Sequence, residues 1–303
     1  MKKIIIALVI VFYSIAHTKN TPQEKKLFEK YFQKALKDDV DAQFNLGLMY
    51  YEGIAIEKDL NQAFFWYKKA AAYGSVEAQN NLGYMYEHGI GVEKNQNLAI
   101  QYYKMAASRD YSVAQLNLAL YYEAKQSDKY MKDAIYWYKK AANNNSTAAQ
   151  NNLAKFYYFG NNVKLDYKKA IHWYKKASNN GDPVAQFNLA MIYYSGEGTQ
   201  KDYDKALDLL KKSANSGNIF AQSKLGEFYR AGTIVDQDYK IAMKYYKQAA
   251  KKGDKLSIYY IGYFYYYGLG VQQNKKQGIK WMHKAADKGY SHAKTFLQRH
   301  NYR

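Results

Sequence analysis

The chain of 303 residues contains no cysteine and only two prolines. Without a thiol it can form neither a disulfide nor a lipid-modified cysteine, so packing must hold the fold together. The N-terminal apolar run, Ile4 to Tyr13, is well short of the roughly 20 residues that a membrane-spanning helix needs. These absences argue against a disulfide-stapled fold and a lipoprotein.

Motifs for the common catalytic and metal sites are also missing. No two of the six histidines stand four residues apart, and no His-Glu-x-x-His or Gly-x-Ser-x-Gly motif occurs. The glycine pairs at 89–91, 196–198 and 268–270 lack the third glycine and the preceding strand of a dinucleotide-binding loop. We interpret them as turns between helices, and we expect no metal, no cofactor and no enzymatic activity.

The first sixteen residues have the pattern of a secretory signal. Lys2 and Lys3 precede the apolar run, and Ser14-Ile15-Ala16 follows it as a small-x-small cleavage site. This pattern predicts a signal peptide over residues 1–16 and an exported product, periplasmic or secreted, with no stable membrane insertion once the signal is cut. The alternative is an uncleaved membrane anchor.

Positive charge is in excess, with 45 Lys and Arg against 26 Asp and Glu and a formal net charge of +19. Much of it falls at one place near the end of a repeated helix, where lysines complement the helix dipole on a solvated face. The summed field would attract anionic partners such as acidic peptides, cell-envelope polymers or lipid headgroups. No nucleic-acid-binding motif occurs, and we do not expect nucleic acid as a partner. The lysine pairs concerned are 68–69, 139–140, 175–176 and 211–212.

The dominant feature is an internal repeat. The stretch "AQFNLGLMYYEG", which begins at Ala42, has near-copies down the chain, and a seventh unit begins at Ser257. The glutamines of six copies follow one another at intervals of 36, 36, 35, 36 and 36 residues, at Gln43, Gln79, Gln115, Gln150, Gln186 and Gln222. A period of this length predicts a solenoid of stacked units rather than the two domains that chain length alone would suggest.

Each unit is predicted to be a pair of helices. In the second unit the first helix runs from Ser75 to His88, glycine then breaks it, and Asn95 caps the helix that carries Ala99. A small residue recurs at one place in each helix, which lets the two helices approach closely. The predicted fold class is all-α, a right-handed α/α superhelix of about seven helix-turn-helix repeats of roughly 36 residues, with the first helices on the concave side.

The repeated pattern A-x-x-x-L-G-x-x-Y, then G-x-G-V, then A-x-x-W-Y-x-K-A-A is similar to the Sel1-like repeat family, relatives of the tetratricopeptide repeat. The first unit supplies Ala42, Leu46, Gly47, Tyr50, Gly53, Ala63, Trp66, Tyr67, Ala70 and Gly74. We divide the chain into a signal peptide (1–16), an N-terminal segment with a capping helix (17–40), seven repeats (41–292) and a C-terminal capping helix (293–303). The third repeat departs from the pattern, because it has "AKQSDK" instead of the glycine loop and is one residue short.

The resemblance implies a binding surface, because ligands of the related tetratricopeptide fold lie along the first helices. One series of matching positions is Asn45, Asn81, Asn117, Asn152, Asn188 and Lys224. Aromatic and charged residues flank it, at Tyr51, Tyr84, Tyr122, Tyr158, Tyr194 and Arg230. An amide can pair with the backbone of an extended peptide, and tyrosine adds rigid contact area. The alternative is that the asparagines bond only to the next repeat as an internal ladder.

The prediction is therefore an exported interaction scaffold that binds a peptide or protein segment along the concave face, and the excess positive charge favours an anionic partner. The first alternative is a glycan or peptidoglycan-fragment binder of the cell envelope that uses the same face. A β-lactamase-like enzyme is a third alternative, suggested by the Ser-x-x-Lys string at Ser291-His292-Ala293-Lys294. The companion Ser-Asp-Asn and Lys-Thr-Gly motifs of such enzymes are missing.

Overall fold

A computed structural model describes residues 21–302, and within that range it contains sixteen α-helices and no strand. The predicted all-α class is confirmed. The helices are α1 Pro22–Ala35, α2 Val40–Glu52, α3 Leu60–Ala72, α4 Val76–His88, α5 Gln96–Ala107, α6 Ser112–Glu123, α7 Asp128–Asn143, α8 Thr147–Phe159, α9 Tyr167–Asn179, α10 Pro183–Ser195, α11 Tyr203–Asn215, α12 Ile219–Ala231, α13 Tyr239–Lys251, α14 Lys255–Tyr267, α15 Lys275–Asp287 and α16 Ser291–Arg299.

From α2 to α15 the helices form seven pairs, which we number as repeats one to seven, each with a first and a second helix. The sequence signals set the helix ends as predicted. Gly89 ends α4 with φ +70°, a left-handed conformation that costs glycine little. The side chain of Asn95 accepts hydrogen bonds from the backbone N–H groups of Asn97 and Leu98 and so begins α5. The predicted signal peptide lies outside the described residues.

Small residues bring the two helices of a repeat together. A methyl group on Gly83 of α4 would lie 2.6 Å from Cδ1 of Tyr103 in α5, and one on Gly226 of α12 would lie 2.6 Å from Cδ1 of Tyr246 in α13. Both tyrosines are completely buried. The small position is therefore the space into which the tyrosine ring of the second helix packs.

Buried glutamines join successive repeats. Nε2 of Gln79 donates to the carbonyl oxygen of Ala71 at 3.3 Å, and Nε2 of Gln115 donates to that of Ala107 at 3.1 Å. Each carbonyl also accepts a bond from the backbone N–H three residues on, that of Gly74 or Asp110, and the glutamine adds a second donor from the next repeat. Gln43, Gln186 and Gln222 make the equivalent bond to the residue eight positions earlier.

The glycine loops also pack on the preceding repeat. A methyl group on Gly91 would lie 2.6 Å from the carbonyl oxygen of Leu60, at the start of α3. A methyl group on Gly270 would lie 2.7 Å from the backbone carbon of Tyr239, at the start of α13. The loops are thus turns between helices, as predicted, and the structure adds that they pack against the backbone of the preceding repeat.

The chain divides into two compact units, residues 21–146 and 147–302, at the junction between repeats three and four. In the first unit α1 covers α2, and the ring of Phe32 packs edge-on against Trp66 at 6.2 Å. In the second unit α16 buries Phe296 against Tyr266, with ring centroids 5.1 Å apart. The third repeat keeps its helix pair despite its short connection, because α7 has 16 residues where α5 has 12. No helix of residues 21–302 combines the length and apolar character that a bilayer span requires.

Candidate binding surfaces on the first helices

The predicted asparagine series is half-buried, and several of its amides contact the neighbouring repeat. Nδ2 of Asn117 in repeat three donates to Oδ1 of Asn80 in repeat two at 2.8 Å. Nδ2 of Asn188 in repeat five lies 3.5 Å from Oδ1 of Asn151 in repeat four. Asn45 instead donates to the carbonyl oxygen of Asp41 in its own helix at 2.6 Å. These amides therefore form hydrogen bonds within the fold.

In repeats one to four the hydroxyl group of the buried second-helix tyrosine has a partner of one of two kinds, whereas the buried hydroxyl of Tyr246 in repeat six has no hydrogen-bond partner among the described residues. In repeat two, Tyr103 donates to Oε2 of Glu87 at 2.8 Å, and in repeat three Tyr138 donates to Oε2 of Glu123. In repeat one the position equivalent to Glu87 is Tyr51, and Tyr67 instead accepts a hydrogen bond from Asn81 of the next repeat.

Repeat four follows the arrangement of repeat one. Its equivalent position is Tyr158, and the buried Tyr174 accepts a hydrogen bond from Asn188 of repeat five. Burial raises the pKa of Tyr174, and the bond from Asn188 opposes that effect. In repeats two and three a carboxylate on the first helix thus keeps the hydroxyl bond inside the repeat, and in repeats one and four, which lack it, the bond comes from the next repeat.

Tyr122 does not belong to the exposed series in which the sequence analysis placed it. It lies five residues after Asn117, whereas the equivalent residue six positions on is Glu123. One residue rotates a helix by about 100°, so Tyr122 faces the second helix. Its side chain is 8% exposed, and its ring stacks on Tyr130 at the start of α7 with centroids 5.9 Å apart.

In the first unit the most exposed predicted residue is Tyr84, at 41%. Leu120 occupies the same place in the next repeat and is 45% exposed. The ring of Tyr84 stacks on His88 one turn further along α4, with centroids 4.2 Å apart. Tyr51 is half-buried and has the ammonium group of Lys58 5.2 Å from its ring centre. We call Tyr84, His88 and Leu120 the exposed ridge of the first unit.

In the second unit most predicted residues are engaged with side chains of the following repeat. The Tyr158 hydroxyl donates to Oε2 of Glu197 in the loop of repeat five. Tyr194 packs on Phe228 of repeat six with centroids 5.0 Å apart. Lys224 lies 5.8 Å from the ring centre of Tyr194 and forms a salt bridge of 3.0 Å with Glu227. Asn152, on α8, is half-buried.

The second unit ends in a tyrosine cluster on the first helix of repeat seven, where Tyr260, Tyr263 and Tyr266 continue the predicted series. The guanidinium of Arg230 lies 4.6 Å from the ring centre of Tyr260, which occupies the asparagine position of repeat seven. The rings of Tyr263 and Tyr267 follow on the same helix, with centroids 4.6 Å apart. Burial and the surrounding tyrosines raise the pKa of Tyr259 to about 12. The signal was present as the run "YYIGYFYYYG" from Tyr259.

The repeat itself decides the family. The family model of the Sel1 repeat matches seven consecutive segments, residues 40–75, 76–111, 112–146, 147–182, 183–218, 219–254 and 256–290. The chain belongs to the Sel1-repeat family. An all-α array of Sel1 repeats is a scaffold suited to protein–protein interaction.

Solved Sel1-repeat structures resemble the chain over most of its length. A Sel1-repeat protein from Oxalobacter formigenes is 30% identical, with a TM-score of 0.74 over 90% of this chain and 79% of its own. A protective antigen present in uropathogenic Escherichia coli strains is 28% identical, with a TM-score of 0.64 over 90% of this chain and 66% of its own. Among curated proteins no significant match was found.

The Ser-x-x-Lys string lies at the beginning of the last Sel1-type helix, α16. Ser291 and Lys294 are exposed, and Ala293 between them is completely buried in the repeat core. The backbone carbonyl of Ser291 accepts a hydrogen bond of 3.1 Å from the hydroxyl of Thr295. Within residues 21–302 no hydrogen bond joins the Ser291 hydroxyl to Lys294, so this geometry offers no activation of the serine.

Proposed function

We propose that this Sel1-repeat protein is an exported scaffold that binds an extended peptide or protein segment along the first helices of its first unit. The observation that carries the proposal is the exposed ridge. Tyr84 and Leu120 are large apolar side chains that occupy equivalent places in successive repeats, and both are more than 40% exposed. Exposed apolar side chains arranged side by side are typical of interaction surfaces.

The polar residues beside the ridge support an extended ligand. Asn81 and Asn117 lie one turn before Tyr84 and Leu120 on α4 and α6. Each amide has two donor hydrogens and an acceptor oxygen, so it can bond a peptide backbone while keeping its internal partner. A peptide crossing both helices would bury the two apolar side chains and pair with the amides between them.

The tyrosine cluster of repeat seven favours a second candidate, glycan binding by the second unit. Tyr260 and Tyr263 are half-buried, Tyr267 is 44% exposed, and Arg230 adds a cation at the edge of the cluster. Tyrosine rings and hydroxyls together offer stacking surface and hydrogen bonds to a sugar. Export rests on the pattern of residues 1–16, and mass spectrometry of the protein recovered from cells would test it by the absence of those residues.

A peptide-display selection on the purified protein tests the first candidate. We expect enriched peptides to bind the wild type and to lose at least about tenfold in affinity on the Tyr84→Ala/Leu120→Ala variant, because two apolar anchors are removed. The matched control is Met105→Ala/Tyr136→Ala, which removes two equally exposed large side chains from the second helices α5 and α7.

The result that would overturn the proposal is peptide binding that both double variants retain, or a selection that enriches no peptide. Circular dichroism of each variant confirms that the helices are intact before binding is measured. A glycan array run in parallel tests the second candidate, with Tyr263→Ala/Tyr267→Ala as its variant. Glycan binding that this variant abolishes, without any peptide ligand, would establish the second candidate in place of the first.

A further inference from the structure

The second helices of repeats six and seven carry two rows of lysines. On α13 the row is Lys240, Lys244, Lys247 and Lys251, and on α15 it is Lys276, Lys280 and Lys284. Spacings of three and four residues place each row on one face of its helix. All seven side chains are exposed. We call these seven residues the lysine field.

The lysine field has almost no acidic residues to balance it. The segment Tyr239–Lys251 contains four lysines and no carboxylate, and Lys275–Asp287 contains four lysines and one carboxylate, Asp287. Among residues 21–302 no salt bridge includes a member of the field.

The preceding second helix, α11, shows how the same fold neutralises such lysines. There Lys205 pairs with Asp202 at 2.7 Å, and Lys212 pairs with Asp208 at 2.8 Å. Repeats six and seven lack the equivalent pairing although their helices occupy the same place in the repeat. On α9 of the same unit, which also has four lysines and no carboxylate, Lys169 pairs with Asp166 at 3.1 Å, so within this unit lysines without a salt bridge are most numerous on α13 and α15.

The composition of the field indicates its ligand. Lysine is depleted from protein–protein interfaces, and arginine is the preferred residue for bidentate recognition of phosphate in nucleic acids. Neither α13 nor α15 contains an arginine. Lysine acts as a flexible, strongly hydrated point charge, which suits diffuse attraction to many negative groups in a plane.

An aromatic residue lies within the field. Trp281 is half-buried between Lys280 and Lys284, with the Lys284 ammonium 4.8 Å from its ring centre. A tryptophan that packs on protein with one face and is exposed to solvent on the other is typically found at the depth of the lipid headgroups. Lys240 to Lys251 extends over about 16 Å along α13, so two such rows present an area rather than a line of charge.

We propose that the lysine field docks the second unit on the surface of an anionic phospholipid bilayer, without insertion. This inference concerns a different face from the first-helix surface and does not depend on peptide or glycan binding. It predicts adsorption that requires acidic lipid and falls as salt rises, because the attraction is screened within about a Debye length.

Vesicle co-sedimentation tests the proposal with the full chain. We expect the wild type to pellet with vesicles of phosphatidylcholine and phosphatidylglycerol, and not with vesicles of phosphatidylcholine alone. Replacing Lys240, Lys244, Lys247 and Lys251 with glutamine should lower the partition coefficient roughly 600-fold, since each of the four basic residues near an anionic surface contributes about fivefold. Glutamine keeps the helix propensity close to that of lysine.

The matched control carries the same change in net charge on the first unit. It replaces four exposed second-helix lysines, Lys68, Lys104, Lys139 and Lys140, with glutamine. We expect a loss of at most about threefold, because these lysines lie outside the field. Residues 1–16 are identical in every protein compared, so their contribution to adsorption cancels.

Three results would overturn the proposal. An equal loss in both variants would show that net charge, not the lysine field, causes adsorption. Equal pelleting of the wild type with both vesicle types would exclude anionic lipid as the determinant. Binding to soluble inorganic polyphosphate without vesicle pelleting would identify a soluble polyanion instead. Should the α13 variant fail to fold, Lys276→Gln/Lys280→Gln/Lys284→Gln on α15 repeats the test.

Discussion

The hydroxyl of Tyr103 lies 2.8 Å from Oε2 of Glu87. This hydrogen bond joins the buried tyrosine of the second helix, α5, to a half-buried carboxylate on the first helix, α4, of the same repeat. Tyr67, the equivalent residue one repeat earlier, is bonded by Asn81 of the following repeat instead. In these two repeats the equivalent tyrosines therefore bond either within the repeat or to the neighbouring repeat, and the repeats differ at the first-helix position that holds Glu87 in one and Tyr51 in the other.

Asn81→Ala should lower the stability of the first unit. The substitution removes the donor to the buried Tyr67 hydroxyl, and an unsatisfied buried polar group costs about 1–3 kcal/mol. Asn45→Ala is the matched control, because the Asn45 amide bonds only to Asp41 of its own helix. Urea unfolding followed by circular dichroism measures both, and equal midpoints would contradict the role of Asn81 between repeats. In Tyr67→Phe, which has no hydroxyl to satisfy, the cost of Asn81→Ala should largely disappear.

Helix ends and helix crossings could be predicted from the sequence because they depend on local chemistry. Gly89 and Asn95 end and begin helices through their own backbone and side chain, and the small residue at Gly83 recurs at every crossing. The Asn81 and Asn117 contacts depend on the angle between successive repeats, which no local pattern records. This is why an internal ladder and a ligand-binding row could not be separated from sequence alone.

The structural role of the buried glutamine could have been predicted from the sequence. Gln79 lies beside Ala78 and three residues before Leu82, on the apolar face of α4, and its equivalents recur in six repeats. A polar residue at a buried position needs a partner, and the carbonyl oxygens near the end of the preceding helix can accept a second hydrogen bond. Tyr122 was placed in the series one residue out of register with Glu123, in the third repeat, which lacks the glycine loop.

Stability at high pH should fall because of Tyr103. Burial raises the pKa of Tyr103, and its hydrogen bond to the Glu87 carboxylate raises it further. The folded protein therefore favours the neutral phenol. Its contribution to stability is complete below the unfolded pKa of about 10 and is lost as the pH rises above that value toward the folded pKa.

Unfolding in urea at several pH values between about 9 and 11 tests this expectation. Tyr103→Phe should show a shallower loss of stability over that range than the wild type, because it has no phenol to ionise. Tyr136→Phe, which changes an exposed ring on α7, is the control and should follow the wild type. Identical pH profiles for all three proteins would refute the expectation.

Gly83→Ala should destabilise repeat two. The new methyl group would lie 2.6 Å from Cδ1 of the completely buried Tyr103 ring, and overpacking of this kind costs about 1–3 kcal/mol. Repeats three and four place alanine opposite a buried tyrosine, Ala119 with Tyr138 and Ala154 with Tyr174, whereas repeat five pairs Ala190 with the smaller Leu210. A leucine at position 103 leaves more room for the new methyl group. Combining Gly83→Ala with Tyr103→Leu should therefore recover part of the loss. If the double variant loses as much stability as the two single variants lose together, the clash is not the cause.

Gly91→Ala should cost more than the same change at Gly74, although both glycines have positive φ, +65° and +89°. Replacing glycine with a residue that has a side chain costs about 1–2 kcal/mol in this left-handed conformation at either site. At Gly91 the methyl group would also lie 2.6 Å from the backbone oxygen of Leu60, which cannot move without disturbing the start of α3. At Gly74 it would meet only the end of the flexible Arg109 side chain, at 3.1 Å. Unfolding midpoints of the two variants measure the difference, and equal losses would mean that the loop does not pack on the preceding repeat as tightly as the structure shows.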